Sequence, residues 1–372
     1  MSWTQKTLGE IVNLKRGFDL PSSSRVDGPY PVFSSSGQTG THSEAAVKGP
    51  CVVTGRYGTI GQVFFSDAAC WPLNTSLYST DFKGNDPKFV YYLLKTIPWR
   101  DYLTASAVPG INRNHVHLCP VCVPDHETQT AISGVLGLLD NKIELNTKLN
   151  GYLAELAQTL YNDWFRDFGH WGGRMPSHWE SGVLGDYVSV KRGGSPRPIQ
   201  EYLSNEGLHW LKIADVSGVN GPYILEIKEH IKEEGLRKTV HLEPGSLVLS
   251  NSATPGIPKI LSIGTCIHDG WLYFPQSEFT NEWLYCYFLN IRQELVRMAN
   301  GSVFQNLKTD IVKDFEIIRP DDETLDSFQK IIAPLFGLME ACQQESKQLA
   351  ALRDALLPKL MSGEIDVSKI DL

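Results

Sequence analysis

The 372-residue sequence is short of several things, and each shortage narrows its class. No run approaches the roughly 20 apolar residues needed to cross a bilayer, so no membrane-spanning helix is expected. The first residues, MSWTQKTLGEIVNL, lack the basic-then-apolar pattern of a secretory leader. Cysteine is sparse, seven residues scattered along the chain, which suits a reducing cytoplasm. Catalytic signatures are missing as well. There is no GxxxxGK[ST] phosphate loop, no HExxH and no GxSxG, and no short motif gathers carboxylates as a metal-dependent nuclease needs. Two segments resemble sites only loosely. Gly55–Gly61, GRYGTIG, does not keep GxGxxG spacing and reads better as a bend between two strands. Cys119 and Cys122 form a CxxC with no second pair, inside the alternating run VHLCPVCVP, so a buried strand is the better reading than zinc or redox chemistry. No enzyme, metal or cofactor site is expected in this chain. The net charge of −8 argues, as an average, against a nucleic-acid partner. At 42% hydrophobic and 20% charged residues the chain is nonetheless globular, and large enough for two or three domains.

What is present is a repeat. Thr7–Gly17 (TLGEIVNLKRG) and Val183–Gly193 (VLGDYVSVKRG) match at six of eleven positions with a shift of 176. Lys88–Leu94 (KFVYYLL) pairs with Glu282–Phe288 (EWLYCYF), and Ile111–Val116 (INRNHV) with Leu307–Val312 (LKTDIV), at shifts of 194 and 196. The second copy therefore carries about twenty extra residues in its interior. Residues 1–124 and 181–319 are rich in Gly, Pro and aromatics, with β-type runs such as Pro50–Thr54, Gln62–Phe65, Ser246–Ser250 and Phe315–Ile318, and read as mixed α/β domains.

Residues 125–180 and 320–372 differ. Each begins after a proline with an aspartate suited to N-capping, and a helix is expected over 125–168 and over 321–362. Forty-odd residues make a helix about 60 Å long. Apolar side chains recur at helical spacing: Ile132, Leu136, Leu139, Ile143, Leu153, Leu156 and Leu160 in the first, and Leu335, Met339, Leu349, Leu352 and Leu356 in the second. Asn146 and Asn150 interrupt the first stripe, as polar residues do where a helix pair needs one register. Pro334 and Gly337 predict a kink early in the second helix. Each stripe could dock on its own domain, but matched lengths favour an antiparallel, coiled-coil-like pair. The fold class is therefore α+β: two mixed α/β domains joined by two long helices, with a pseudo-twofold internal repeat.

Polar residues suited to nucleic acid lie at corresponding places in the two copies. Lys15 and Arg16, with Lys191 and Arg192, precede glycines that would let the backbone approach a phosphate, although a solvated basic turn would read the same. Arg56 and Tyr57 occupy one loop, and Asn251, Ser252 and Thr254 the comparable loop of the second copy. Arg suits guanine and Asn suits adenine. Asn112, Arg113 and Asn114, with Asn306 and Lys308, form a further pair of polar loops.

The whole pattern resembles the DNA-specificity subunits of type I restriction–modification systems, over essentially the full chain. The duplicated start carries the resemblance, together with DNKIELNTKLNGYLAELAQTLYNDWF at Asp140–Phe165 and LAALRDALLPKLMSGEIDV at Leu349–Val367. The resemblance implies two target-recognition domains, each reading a short block of bases in double-stranded DNA, so that the site is bipartite and asymmetric. It implies helices acting as a ruler, in which one added turn of about 5.4 Å lengthens the spacer by roughly one to two base pairs. It implies two methyltransferase subunits as partners, which use S-adenosylmethionine on a flipped adenine, and motor-nuclease subunits requiring Mg and ATP that can join them. The contrasting reading is a structural coiled-coil scaffold or dimerisation protein whose domains bind protein rather than DNA.

Divided along these boundaries, the net charge is +3 over residues 1–124, −2 over 181–319, −4 over 125–180 and −5 over 320–372. The acidity belongs mainly to the helices. Two reading domains totalling +1 make a weak electrostatic footprint, so the partners are expected to supply much of the phosphate binding.

Overall fold

The computed structural model describes residues 3–104, 109–216, 218–300 and 306–367. The chain divides into two compact units, residues 1–142 with 349–372, and residues 143–348. Each unit holds one copy of the repeat and one stretch of each long helix.

In the first unit, Thr4–Thr7 pairs antiparallel with Pro120–Val123 and closes the domain. A four-stranded antiparallel sheet follows in the order Asn13–Arg16, Ser76–Asp81, Cys51–Gly55, Val63–Ser66. A smaller sheet joins Gly37–His42, Tyr30–Ser34 and Trp71–Pro72. The helix Pro87–Thr96 starts where Asp86 accepts the Phe89 N–H at 2.7 Å, and it buries Phe89, Val90, Leu93 and Leu94 against the larger sheet.

The second unit repeats this frame. Glu180–Val183 pairs with Glu316–Arg319, and the sheet runs Val188–Arg192, Trp271–Ser277, Leu247–Ser250, Pro258–Leu261, with Tyr223–Ile224 added in parallel. The extra length falls in one place. Arg16 to Cys51 spans 35 positions, whereas Arg192 to Leu247 spans 55. The segment between Arg192 and Leu247 supplies four strands of a second five-stranded sheet, ordered Leu203–Ser204, His230–Ile231, Leu208–Leu211, Thr265–Ile267, Val240–Leu242.

The expected strands appear within one or two residues of their places, and Gly55–Gly61 lies between two of them. The CxxC strand is only half buried: Cys119, Val121 and Val123 face the core while Cys122 is exposed. Alternation on a two-stranded pair leaves one face to solvent.

The long helices are His126–Tyr161, which passes into a π-turn at Asn162–Arg166, and Asp322–Met361. Asp125 and Asp321 cap them by accepting the Thr128 and Thr324 N–H groups, each at 2.9 Å. The second helix is continuous through Pro334 and Gly337, so the expected kink does not break it. Pro334 itself is exposed.

Within the second unit the two helices run antiparallel. Tyr161 and Phe165 meet Phe328, and Asn146 donates to Glu345 at 2.7 Å. Within the first unit Ile132 and Leu136 share a core with Leu356 and Leu360. Leu153, Met339, Leu160 and Leu335 join the second core, while Leu139, Ile143 and Leu349 are half buried. Leu156 and Leu352 do not belong to the interface: they are 46% and 49% exposed. At 100° per residue, the line through Leu153 continues at Ala157 and Tyr161, both buried, and Leu156 falls beside it.

Candidate nucleic-acid interface

The two copies hold their candidate loops with the same main-chain hydrogen bonds. Arg56 N–H donates to the Thr75 carbonyl at 2.9 Å, as Asn251 N–H does to Gly270 at 2.9 Å. The Arg56 carbonyl accepts from Ile111 N–H at 2.9 Å, and the Asn251 carbonyl from Leu307 N–H at 2.7 Å. Arg56 and Tyr57 thus correspond in space to Asn251 and Ser252, and the 111–114 loop corresponds to the 307–310 segment.

Lys15 and Arg16 end the first edge strand, and Lys191 and Arg192 end its counterpart, opposite Tyr78 and Leu77 and opposite Tyr273 and Leu272. The glycine after each pair has a different purpose from the one expected. A Cβ on Gly17 would lie 2.3 Å from the Leu73 carbonyl oxygen, and one on Gly193 would lie 2.3 Å from that of His268. The chain's own backbone occupies the approach that a phosphate was expected to use. Both glycines serve a tight crossing that fixes the preceding arginine.

A carboxylate holds each of those arginines, from opposite sides of the crossing. In the first copy Asp19 sits 3.5 Å from Arg16 and accepts from Asn74. In the second copy the roles exchange. Asp269 occupies the position of Asn74, accepts from the Ser195 hydroxyl at 2.5 Å, and lies 3.8 Å from Arg192. The Ser195 bond, followed by the nearby Arg192 charge, keeps the Asp269 carboxyl below the usual carboxylate range.

In the first copy the structure gathers Arg16, Arg56, Tyr57, Asn112, Arg113 and Asn114 around one cleft of about 290 Å³. The Arg56 guanidinium lies 4.5 Å from the Tyr57 ring centre, which aligns it while leaving its donors usable. Gly110 lets this happen, because a Cβ there would fall 2.2 Å from the Tyr57 ring. Asn112 spends its side-chain oxygen on the Asn114 N–H at 3.0 Å, so it shapes the short helix Arg113–Val116. Arg113 and Asn114 remain exposed. Lys15 is exposed but lies outside the cleft, on the opposite face of its strand from Arg16.

The second copy departs from the expectation at Asn251. Its side chain is only 1% exposed and donates to the Asp269 carbonyl at 3.1 Å, so it cannot reach a base edge. Thr254 is exposed and Ser252 half buried, with Ala253 between them in the left-handed region at φ 59°. Asn306 is half buried beside the Leu307–Asn251 bond, and Lys308 is exposed before the helix Thr309–Lys313. A second concavity of about 880 Å³ lies beside Arg192, lined by Ser195, Arg197, Ile199, Trp210, Lys212 and His268. None of these six stood out in the sequence. No motif or repeat position signalled them.

Among the described residues, no group of three or more His, Cys, Asp or Glu could hold a metal ion, and no helix is long and apolar enough to cross a membrane.

Comparison with known proteins gives one family. A sequence profile described as the type I restriction modification DNA specificity domain matches residues 1–154 and again 176–348. The type I restriction enzyme MjaIX specificity subunit of Methanocaldococcus jannaschii is 26% identical over 312 residues, covering 76% of this chain and 70% of that protein. The type I restriction enzyme HindI specificity subunit of Haemophilus influenzae is 23% identical, with 98% and 99% of the two chains covered. The crystal structure of a type I restriction-modification system S subunit from M. genitalium shares the fold, with a TM-score of 0.65 at 18% identity over 96% of each chain.

Proposed function

The chain belongs to the type I restriction modification DNA specificity family, and from that membership we propose that it is a non-catalytic subunit reading an asymmetric, bipartite target in double-stranded DNA. One observation carries the reading. Two copies of a single backbone frame place different side chains beside the arginine they share, Arg56, Tyr57, Arg113 and Asn114 in the first and Arg197 in the second. A shared frame suits docking on the same duplex geometry, while different side chains suit different bases. A scaffold that bound protein would have no reason to keep an ion-paired arginine at the same crossing in both copies.

The phosphates are met by Lys15 and Lys191 beside the arginines, and the bases of the first block by Arg56, Tyr57, Arg113 and Asn114. The partners are two methyltransferase subunits, with motor-nuclease subunits joining them for cleavage, and the complex works in the cytoplasm. S-adenosylmethionine, and Mg and ATP where cleavage occurs, belong to those partners. This chain contributes position and sequence choice only.

The test is a domain exchange. Residues 1–124 are replaced by those of a relative, the chain is co-expressed with its methyltransferase, and methylated adenines are mapped by long-read sequencing. Exactly one block of the methylated motif is expected to change. An unchanged motif would overturn the reading.

A further inference from the structure

The two copies differ in what surrounds the arginine they share. Beside Arg192, the residue that repeats Arg16, the 195–200 segment, Trp210, Lys212 and His268 line the 880 Å³ concavity. In the first copy the polar side chains beside the equivalent arginine come from the 56–57 and 112–114 loops. In the second copy the residue matching Arg56 is Asn251, turned inward and used to hold the Asp269 carbonyl.

Arg197 takes the exposed position instead. Its side chain is 79% exposed, and its guanidinium lies 3.5 Å from Asp269, the same carboxylate that meets Arg192 at 3.8 Å. Asp269 is itself fixed by Ser195, and Ser195 is linked back to the Asp269 N–H at 3.4 Å. The two arginines are thus set side by side on one anchored carboxylate. Lys212 differs: it is committed to Glu229 at 2.5 Å and stands as a wall of the pocket. Behind Arg197 the lining is apolar, with Ile199 and the buried Trp210, and His268 closes the far side. The His268 Nδ1 accepts the Gly270 N–H at 2.8 Å, so the neutral ring presents Nε2–H as a donor.

We propose that the second domain reads its block of duplex DNA through Arg197 and the pocket behind it, and that the Asn251–Thr254 loop, which corresponds to the reading loop of the first domain, is structural. Arg197 takes a guanine by its O6 and N7, the pairing a forked guanidinium makes best in the major groove, and the apolar wall accepts a thymine methyl beside it. Asp269 is a positioning residue, holding Arg197 next to Arg192 until the base edge replaces it.

This inference rests on the DNA-reading function proposed above, and the experiment separates the two. The full chain, assembled with its methyltransferase, selects from a randomised duplex library. Arg197→Ala, a pocket-filling Ala214→Phe and the double variant Ser252→Ala/Thr254→Ala are then scored on the same library. Arg197→Ala is expected to lower discrimination at one guanine of the second block by about 10- to 100-fold, leaving the first block unchanged. Ala214→Phe is expected to relax the neighbouring position, and the double variant to leave both blocks unchanged. Loss of second-block discrimination in the double variant, with Arg197→Ala silent, would overturn the inference while leaving the DNA-reading function standing. A parent chain that enriches no sequence in either block would overturn both.

Discussion

Asp140 and Arg353 stand 213 residues apart in the chain, and their side chains meet at 2.7 Å. The other oxygen of Asp140 accepts the Tyr92 hydroxyl at 2.6 Å. One carboxylate therefore ties the first long helix to the second and to the domain helix Pro87–Thr96. Burial, and then the bond to Asp140, push the Tyr92 phenol well above its ordinary range, so it remains a donor at any pH the protein meets. Both members of the ion pair are about three-quarters buried, which places it well above an exposed pair in worth. Double-mutant cycles with Asp140→Ala and Arg353→Ala should give a coupling on the order of 1 kcal/mol or more in urea unfolding. A coupling near zero would reduce the pair to surface decoration.

Lys15 and Arg56 should differ in what they control. Lys15 lies outside the cleft, so Lys15→Ala should weaken binding to all sequences alike and shallow the slope of log K against log salt by about 0.9. Arg56→Ala should instead lose choice at one position of the first block by about 1–3 kcal/mol. Titrations of matched and mismatched duplexes at several salt concentrations distinguish these outcomes, and equal losses on both duplexes for Arg56→Ala would contradict its role.

Gly110 makes a direct test of the cleft. With a Cβ only 2.2 Å from the Tyr57 ring, Gly110→Ala must displace Tyr57 and with it the stacked Arg56. First-block discrimination should fall while the second block and the melting temperature of the second unit stay near the parent values. Library selection and calorimetry together would reveal the opposite pattern.

Two groups in the second unit make stability rise with pH, one in acid and one in the alkaline range. Burial alone would raise the Asp321 carboxyl, but bonds from the Thr324 N–H and hydroxyl, His178 and Trp179 outweigh it and hold the group well below the carboxylate range. The unfolded chain then binds more protons in acid, so this stabilisation is present above the ordinary carboxylate pKa and is lost as pH falls below it. Asp321→Asn should flatten that acid limb. Lys259 is buried, with its ammonium on the Val219 and Gly221 carbonyls, and burial lowers it from 10.5 to about 8. Here the folded state binds fewer protons between those values, so stability should rise as pH climbs from about 8 to 10.5. Lys259→Met should abolish that rise, and a slope unchanged in urea unfolding would remove Lys259 as its source.

Much of this molecule is legible without coordinates. The repeat depends on identities that survive in short segments, and helical periodicity shows in a single strand of text because neighbours three and four apart share a face. Duplication, two α/β domains, two long helices and their aspartate caps were therefore all within reach. Arg56, Tyr57 and Arg113 could be named singly from their polar loops, but only folding brings the two loops to one cleft. Other features depend on pairs distant in sequence. Leu156 and Leu352 look like core leucines, and only packing shows that Ala157 occupies the seam and leaves Leu156 outside. The glycines after Lys-Arg looked open to a phosphate until the backbone crossing at Leu73 and His268 filled the space. Asn251 looked like a base reader, yet the peptide carbonyl it bonds lies 18 residues away and draws it inward. The sequence by itself determined the units, their order and their local elements, since those follow from short-range pattern. Tertiary structure decided which polar side chains remain free for a ligand, because a hydrogen-bond donor is committed only by the partner that folding brings to it.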